Sequence, residues 1–332
     1  MVVRSRRCFQ LSAFFKFVLF FSFTIVYCYF AYITLPSTKP TRPTITFATR
    51  NRTKHVKEQD RYDWTLVERD LNDRRLTLQE ACLNAWPRLP PNAWEFVIDA
   101  HHNLVWCNVF KAASSSWMHN FNLLGGFAEN FLRVSHKNPI TLMRSRFPRP
   151  SVSQLLASWP TSLSFLIARD PLHRLLSAYR NKIERVHSQY YKRLARAIIV
   201  RFRGKLPKED HIGPTFEEFV RYVTESHGRA DEHWAPIYQF CTPCSLNFTV
   251  IAKMETLSRD QQYIINKAGI SDILTPGRMQ AQNRANEGPR TSELVAKYYS
   301  KLNRELVHRL VHMYTMDFEM FGYNSSQYYD MV

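Results

Sequence analysis

The segment FLIARDPLHRLLSAYRNK, residues 165–182, passes from an uninterrupted apolar run into a helical pattern. Its first four residues have the apolar character of a strand that is buried on both faces of a sheet. Pro171 favours a helix that starts there, because the N–H that proline lacks would have no partner at the first helical position. Arg169 is therefore predicted at the carboxyl end of a strand, the edge where open α/β sheets bind their ligands.

Apolar runs and helical patterns alternate along the rest of the chain. Further candidate strands are residues 96–98, 104–110 and 248–252, and helical patterns cover residues 171–196, 215–226, 258–268 and 291–318. Strands that alternate with helices predict an α/β layer fold. Because the strands are continuously apolar, the prediction is a central parallel sheet flanked by helices.

A second strand–turn–helix segment is CNVFKAASSSW, residues 107–117, in which small residues form the turn. Such a turn presents backbone N–H groups and hydroxyls at a helix N-terminus, where phosphate or sulfate oxygens bind, and Lys111 adds a positive charge. The segment lacks the glycines of a Walker A loop, which disfavours a nucleotide kinase. The alternative interpretation is an ordinary strand–helix turn with a serine cap.

The helix predicted after Arg169 carries a hydroxyl two turns along, at Ser177, close to the surface that Arg174 also covers. An arginine fork together with a hydroxyl is suited to a phosphate monoester. The alternatives are a surface salt bridge for Arg169 and a packing role for Ser177.

The N-terminal region predicts a membrane anchor. Residues 17–35 form a run of 19 residues without a charge, which is long enough for a helix across ~30 Å of hydrocarbon. A cleaved signal peptide would have a shorter apolar part and a small-residue cleavage site, and the terminal position disfavours a buried core helix. Residues 1–16 are then a cytoplasmic tail, and residues 36–92 a lumenal stem. Residues 58–82 are helical in part and belong either to this stem or to the globular body predicted over residues 93–332.

Sequons and cysteines favour a lumenal body. The sequons begin at Asn51, Asn247 and Asn324, all after the apolar run. The cysteines that follow the run are Cys82, Cys107, Cys241 and Cys244. In an oxidising compartment these four predict two disulfides, with three possible connectivities. A zinc site is disfavoured because no second pair accompanies the single C-x-x-C, and a redox-active pair is the other alternative.

The net charge of +17 predicts a polyanionic partner, which is a nucleic acid, an anionic membrane surface or an acidic polysaccharide. Residues 180–208 hold 10 Lys and Arg against a single acidic residue, Glu184. A solvated helix face would account for such a run as well. Because a membrane anchor precedes it, an acidic glycan is favoured and nucleic acid is not expected.

Taken together, the two motifs resemble those of the Golgi carbohydrate sulfotransferases in the HNK-1 and chondroitin–dermatan 4-O-sulfotransferase group (sulfotransferase family 2). The resemblance extends over roughly residues 95–323 and includes DEHWAP at 231–236, CTPC at 241–244, IAKMETL at 251–257 and YTMDFEMFGY at 314–323. The family usually has a proline before the motif lysine, where this chain has Phe110, and a Cys-Thr-Asn-Trp-like turn, where this chain has Ala-Ser-Ser-Ser-Trp. These departures bear on the choice of acceptor.

The resemblance implies a P-loop-like sulfotransferase fold and in-line transfer of a sulfuryl group from PAPS (3′-phosphoadenylyl sulfate), without a metal. Lys111 is expected to stabilise charge on the transferred group, and Arg169 and Ser177 to hold the 3′-phosphate. The site of the 5′-phosphosulfate is expected from Lys111, Ala112, Ala113, Ser114, Ser115, Ser116 and Trp117.

A histidine is the general base that the resemblance implies, and its pKa suits the task near neutral pH. His136 stands between the two motifs, where related enzymes place such a residue, and His119 and His233 are alternatives. The expected acceptor is the 4-hydroxyl of GalNAc in chondroitin or dermatan chains, with a terminal glucuronic acid or an N-glycan GalNAc also open. A catalytically inactive, glycan-binding Golgi protein is the alternative of a different class. The expected location is the Golgi membrane, with a single-pass type II anchor and a lumenal catalytic domain.

Overall fold

The computed structural model describes residues 62–84, 88–185, 188–205, 213–225, 231–275 and 289–332. The predicted cytoplasmic tail, the predicted membrane-spanning segment and the stem up to residue 61 lie outside these ranges. No helix among the described residues is both long and apolar enough to cross a membrane.

A four-stranded sheet forms the centre of the part of the chain that the structure describes. Its strands are β1 (Phe96–Asp99), β2 (Leu104–Cys107), β3 (Leu163–Ala168) and β4 (Val250–Lys253), which lie side by side in that order. The pairs β2–β3 and β3–β4 are parallel. The prediction of an α/β fold is thus confirmed, and the sheet is mostly parallel.

One strand corrects the prediction of a parallel sheet, because β1 runs antiparallel to β2. Only residues 100–103 connect the two strands. So short a link allows a hairpin, whereas parallel neighbours need a crossover of a dozen or more residues. Asp99 closes this turn by accepting hydrogen bonds from the backbone N–H groups of His101 (3.0 Å) and His102 (3.3 Å).

Helices flank the sheet. In chain order they are α1 (Trp64–Asn84), α2 (Ser114–Leu124), α3 (Glu129–Val134), α4 (Pro139–Arg146), α5 (Val152–Ser158), α6 (Pro171–Ala178), α7 (Gln189–Arg203), α8 (Phe216–Glu225), α9 (Ile237–Cys241), α10 (Leu257–Lys267), α11 (Thr291–Tyr299), α12 (Arg304–Met313) and α13 (Thr315–Met320). Short 3₁₀ turns lie at Trp159–Thr161, Met254–Thr256 and Ser326–Met331.

The helical pattern over residues 171–196 is interrupted in the structure. A π-helical turn, Tyr179–Glu184, separates α6 from the start of α7. Such turns are rare and often occur at functional sites. This one contributes Asn181 and Lys182 to the cleft described below.

The pattern over residues 291–318 is divided into α11, α12 and α13. The break before α12 has a local cause, because the side chain of Asn303 accepts a hydrogen bond from the backbone N–H of Leu306 (2.9 Å). An asparagine that binds the backbone in this way starts a new helix and does not extend the preceding one.

Helix α1 packs as part of the globular body, although the stem was predicted to extend to residue 92. Val67, Leu71 and Leu78 are buried in the core around the sheet. Arg74 donates hydrogen bonds to the carbonyl of Ile251 in β4 (3.1 Å) and to the carboxylate of Asp260 in α10 (2.6 Å). Of the two interpretations that the sequence left open, the first element of the body is therefore the one found.

The four cysteines form the two predicted disulfides. Cys82 at the end of α1 pairs with Cys244. Cys107 at the end of β2 pairs with Cys241 at the end of α9. Of the three connectivities that the sequence allowed, the structure contains this one. Disulfides of this kind persist in oxidising compartments, which suits a domain of the secretory pathway.

Two buried apolar clusters lie behind the motifs. In the first, around the sheet and α2, the rings of Trp106, Trp117 and Phe165 lie between 4.4 and 6.3 Å apart, centroid to centroid. The second joins α6, α8 and α12 through residues such as Leu175 and Phe219. The turn after β2 is anchored in the first cluster and α6 in the second.

Candidate active site

The turn between β2 and α2 adopts an unusual backbone conformation. Lys111 (φ 69°) and Ala113 (φ 56°) both lie in the left-handed region, although neither is a glycine. Each such residue costs about 1–2 kcal/mol relative to the right-handed conformation. Non-glycine residues in this conformation concentrate at ligand-binding sites, and turns of this kind direct consecutive backbone N–H groups towards an anion.

The N-terminus of α2 is not capped by a side chain. Ala113 occupies the N-cap position and forms no side-chain hydrogen bond there, so the serine cap that was the alternative interpretation of this turn does not form at that position. The N-terminus of α6, by contrast, is capped, because Asp170 accepts hydrogen bonds from the N–H groups of Leu172 (2.9 Å) and His173 (3.0 Å). An uncapped helix N-terminus carries a partial positive charge that binds anions.

Lys111 lies beside this helix end and lines a cleft. Burial, together with the neighbouring cations Lys182, Arg169 and Arg174, lowers its pKa to about 7. A lysine whose protonated form is destabilised in this way gains from a bound anion, because the anion supplies the missing negative charge. The turn therefore combines a helix N-terminus with a concentration of positive charge.

Arg169 connects the two sequence motifs. It follows β3 directly, and its Nη1 donates a hydrogen bond to the carbonyl of Lys111 (2.8 Å). Burial lowers the pKa of Arg169 as well. Ser177, two turns along α6, is half-buried and is not among the residues that line the cleft. The structure thus brings Arg169 to the turn, but Arg169, like Ser177, is not among the residues that line the cleft.

Arg174 holds the turn in place from behind. Its fully buried guanidinium donates hydrogen bonds to three backbone carbonyls, those of Phe110 (2.9 Å), Ala235 (2.6 Å) and Glu232 (3.0 Å). Because these bonds engage all three nitrogens of the guanidinium, little hydrogen-bonding capacity remains for a ligand. Arg174 therefore fixes the turn against the segment 231–236, whose residues Asp231, Glu232 and His233 line the same cleft.

The cleft has a volume of about 520 Å³. The residues around it come from the turn, α2, the start of α4, the π-helical turn, the start of α7 and the segment 231–233. They are Phe110, Lys111, Ser114, Ser115, Met118, Asn138, Pro139, Ile140, Asn181, Lys182, Ser188, Tyr190, Tyr191, Asp231, Glu232 and His233. Of the predicted donor-binding residues, Lys111, Ser114 and Ser115 are in this lining, whereas Ala112, Ser116 and Trp117 are buried in the adjoining structure.

His233 lines the cleft in a defined orientation. Its Nδ1 lies 2.7 Å from a carboxylate oxygen of Asp231, whose other oxygen accepts a hydrogen bond from the hydroxyl of Tyr191 (2.9 Å). Although burial opposes it, the hydrogen bonds from His233 lower the pKa of Asp231. An ionised carboxylate can only accept, so Nδ1 of His233 carries the proton and Nε2 is left as the acceptor.

The surroundings also keep the imidazole neutral. Burial lowers the pKa of His233, and the charge of Lys182 acts in the same direction, against the opposing effect of Asp231. The ring of Phe110 packs against it, with 4.7 Å between the ring centroids. A neutral imidazole with one nitrogen oriented by a carboxylate is the arrangement that a general base requires.

The other two candidate histidines lie elsewhere. His136 is exposed between α3 and α4 with a φ of 48°, and His119 is half-buried on α2. Neither belongs to the lining of the cleft, and burial lowers the pKa of His119. The sequence-based choice of His136 stays a prediction. The motif DEHWAP at residues 231–236 pointed to His233, whereas only the fold shows that Asp231 is its partner.

The same segment has the donor set of a metal site. Asp231, Glu232 and His233 each offer a ligand atom, and these atoms lie within 4.8 Å of one another. His233 and Asp231 already bind each other, as described above. Metal-free chemistry therefore remains a prediction of the sequence.

Comparison with known proteins places this geometry in a family. A model described as "Sulfotransferase family" matches residues 94–324. Carbohydrate sulfotransferase 11 of Rattus norvegicus is 29% identical over 255 residues, covering 72% of this chain and 70% of the relative. Carbohydrate sulfotransferase 14 of Danio rerio is 30% identical over 234 residues, covering 68% and 61%. Carbohydrate sulfotransferase 8 of Homo sapiens is 26% identical over 276 residues, covering 79% and 64%.

No solved structure matches the chain. The family model spans both motifs and the segment 231–236, the three parts that the fold brings together around the cleft. The chain therefore belongs to the sulfotransferase family.

Proposed function

We propose that this protein transfers the sulfuryl group of PAPS to a hydroxyl of a glycan. The carbohydrate sulfotransferases among its relatives support this substrate class. The observation that carries the proposal is one cleft that is lined both by Lys111 and by the Asp231–His233 pair. The lysine suits an anionic donor, and the pair suits the deprotonation of a hydroxyl.

The donor is held by the two motifs. Backbone N–H groups of the turn, the hydroxyls of Ser114 and Ser115 and the ammonium of Lys111 bind the 5′-phosphosulfate. Ala112, Ala113, Ser116 and Trp117 contribute through the backbone and shape of the turn. Arg169 and Ser177 bind the 3′-phosphate, as the family resemblance implies. The hydrogen bond between Arg169 and the carbonyl of Lys111 supports a continuous donor site.

The reaction is an in-line displacement at sulfur. The acceptor oxygen forms a bond to sulfur while the bond between sulfur and the bridging phosphate oxygen breaks, and PAP (3′-phosphoadenosine 5′-phosphate) leaves. Lys111 stabilises the negative charge that develops on the bridging oxygen. No metal takes part in this proposal, and chelation with EDTA is expected to leave the rate unchanged.

The general base takes the proton of the acceptor hydroxyl. The motif order favours His136, and the geometry of the cleft favours His233. We choose His233, because Asp231 leaves its Nε2 as the proton acceptor and because it shares the cleft with Lys111. Base catalysis of this kind contributes roughly 10²–10⁴-fold to a rate.

The acceptor in this proposal is the 4-hydroxyl of GalNAc in chondroitin or dermatan chains. An N-glycan GalNAc or a terminal glucuronic acid is the second choice, and the names of the relatives do not separate these. The setting is the Golgi lumen, with residues 17–35 as a type II membrane anchor. The two disulfides support an oxidising compartment.

The test uses the full chain in detergent, labelled PAPS, and chondroitin, dermatan, desulfated heparin and N-glycan acceptors. Transfer of label that is lost in Lys111→Ala and Arg169→Ala is the expected result, and the preferred acceptor identifies the substrate. Arg69→Ala is the matched control, because Arg69 is exposed on α1 and does not line the cleft. A folded protein that binds PAP but transfers no label to any acceptor would support the inactive glycan-binding alternative.

A further inference from the structure

The start of α7 forms one rim of the cleft. Ser188, Tyr190 and Tyr191 all belong to the cleft lining. Tyr191 is buried and binds Asp231, whereas Tyr190 is 57% exposed at the mouth. A large aromatic ring that remains exposed beside a cleft offers an apolar face for a flat partner such as a sugar ring. The catalytic groups proposed above do not account for Tyr190.

A positive charge follows Tyr190 on the same helix. Arg193 is exposed and lies three residues later, so the two side chains are neighbours on one face of α7. Arg193 makes no ion pair with any residue that the structure describes. The basic residues farther along α7 differ, because Arg201 binds Glu225 (2.6 Å) and Arg203 binds Glu218 (2.6 Å). The exposed guanidinium of Arg193 is thus suited to binding an anionic group of a ligand.

A negative charge lies beside His233. Glu232 lines the cleft with a side chain that is 48% exposed, and its carboxylate lies 3.7 Å from Nδ1 of His233. Asp231 is neutralised in part by its hydrogen bonds to His233 and Tyr191, but Glu232 is not held in this way. An anionic group of an acceptor is repelled near Glu232 and attracted near Arg193.

We propose that Tyr190 and Arg193 form an acceptor subsite for a uronate-containing, anionic glycan chain. The proposal rests on the proposed sulfotransferase function, because it assigns the acceptor of that same cleft. The ring of Tyr190 packs against one sugar, and the guanidinium of Arg193 binds the carboxylate of the neighbouring uronate. The hydroxyl to be sulfated then lies at His233, and the carboxylate of Glu232 repels uronate carboxylates from the immediate surroundings of that histidine. A neutral glycan gains nothing from Arg193.

The experiment uses the full chain in detergent with two matched polymers, chondroitin and chondroitin whose uronate carboxyls have been reduced to alcohols. Arg193→Ala is expected to raise the KM for chondroitin about tenfold, because one charge-assisted hydrogen bond is lost. The same variant should leave the KM for the reduced polymer unchanged. Tyr190→Ala is expected to raise the KM for both polymers, because the aromatic ring is lost. Tyr190→Phe keeps the ring and should raise neither KM. The affinity for PAP is expected to stay the same in every variant, and Arg69→Ala is the matched arginine control.

Retention of the protein on immobilised chondroitin gives a second readout that needs no catalysis. Arg193→Ala is expected to elute at lower salt than the unchanged chain, and Arg69→Ala at the same salt. If no sulfate is transferred but retention depends on Arg193, the proposed function fails and the glycan subsite stands. If the enzyme is active but Arg193→Ala changes neither the retention nor the ratio of the two KM values, the subsite is wrong and the proposed function stands.

Discussion

At the scale of single residues, the turn after β2 concentrates positive charge before any ligand is bound. Burial, with the nearby charges of Lys182, Arg169 and Arg174, lowers the pKa of Lys111 to about 7. In the free protein this lysine is therefore about half protonated near pH 7. A bound phosphate raises its pKa again, because opposite charges favour the protonated form. Binding of PAP above pH 7 then requires the uptake of a proton.

The affinity for PAP is accordingly expected to fall about tenfold per pH unit between pH 7.5 and 9, which is one proton taken up per molecule bound. Lys111→Arg should remove most of this dependence, because arginine stays protonated over the whole range. Lys182→Arg is the control and should retain the pH dependence of the affinity for PAP. Isothermal titration calorimetry in buffers of different ionisation enthalpy measures both the affinity and the protons taken up. An unchanged pH slope in Lys111→Arg would contradict the assignment.

Replacing His233 and replacing His136 are expected to have different effects on activity, because only one of them is the general base. We expect His233→Ala to lower kcat at least about 100-fold, because the proton acceptor is lost. The affinity for PAP should change much less, because Lys111 and Arg169 are retained. His136→Ala should retain most of the activity, because the residue is exposed outside the cleft lining. The pH–rate profile is the decisive measurement, and its acidic limb should disappear only when the base is removed. Loss of that limb in His136→Ala would establish the motif-based choice instead.

Contacts of the site between residues close in sequence could be predicted, whereas contacts between residues far apart in sequence could not. The turn with Lys111 and the position of Arg169 follow from local strand–turn–helix patterns, which a sequence displays directly. The contact of Phe110 with His233 joins residues more than a hundred positions apart, and no local pattern determines it. Arg174 was placed beside Ser177 by helical spacing, but only the fold reveals that backbone carbonyls occupy its guanidinium.

At the scale of secondary-structure elements, the cleft depends on how the segment 231–238 is held. Arg174 on α6 binds the carbonyls of Glu232 and Ala235, and Asp317 on α13 accepts hydrogen bonds from the N–H groups of Ile237 (2.7 Å) and Tyr238 (2.9 Å). The same arginine binds the carbonyl of Phe110 in the turn. One buried side chain thus joins the turn after β2 to the segment that carries His233.

Replacement of this arginine is therefore expected to affect both stability and binding. Arg174→Lys keeps the charge but cannot span three carbonyls, and a buried polar group left without a partner costs about 1–3 kcal/mol. We expect the free energy of unfolding, from urea titration, to fall by about 3 kcal/mol or more, and the affinity for PAP to fall in the protein that remains folded. Arg180→Lys is the matched control, since Arg180 binds the carbonyl of Pro289 at a half-buried position. Equal stability of the two variants would contradict this role.

The strand and helix patterns predicted where most elements lie, but they did not show that two long helical segments are interrupted. Hydrophobic periodicity shows where a face is buried and is insensitive to a change of helix type, so the π-helical turn at Tyr179–Glu184 is invisible in it. The antiparallel pairing of β1 with β2, in contrast, follows from the four residues between them. The length of this link could be taken from the sequence, whereas the apolar character of the strands did not determine their direction.

At the scale of the whole molecule, α1 decides where the folded body begins. The helix buries Val67, Leu71 and Leu78 against the sheet core, and Cys82 is joined to Cys244 across 162 positions. In the chain-entropy account, closing a loop of that length stabilises the folded state by about 5 kcal/mol. The pair of Arg74 with the fully buried Asp260 adds a second attachment, and the loss of one partner from such a pair costs about 3–5 kcal/mol.

Two truncated chains test this boundary. Residues 62–332 are expected to be secreted as a folded protein with both disulfides. Residues 93–332 should not be, because they lack α1 and leave Cys244 without its disulfide partner and Asp260 without Arg74. A third chain, residues 62–332 with Cys82→Ser and Cys244→Ser, keeps the helix without the disulfide and should fold with reduced stability. Secretion, thiol counting and urea unfolding measure the three. If residues 93–332 unfold cooperatively with the stability of the longer chain and bind PAP equally well, α1 belongs functionally to the stem, and the boundary at residue 93 is the right one.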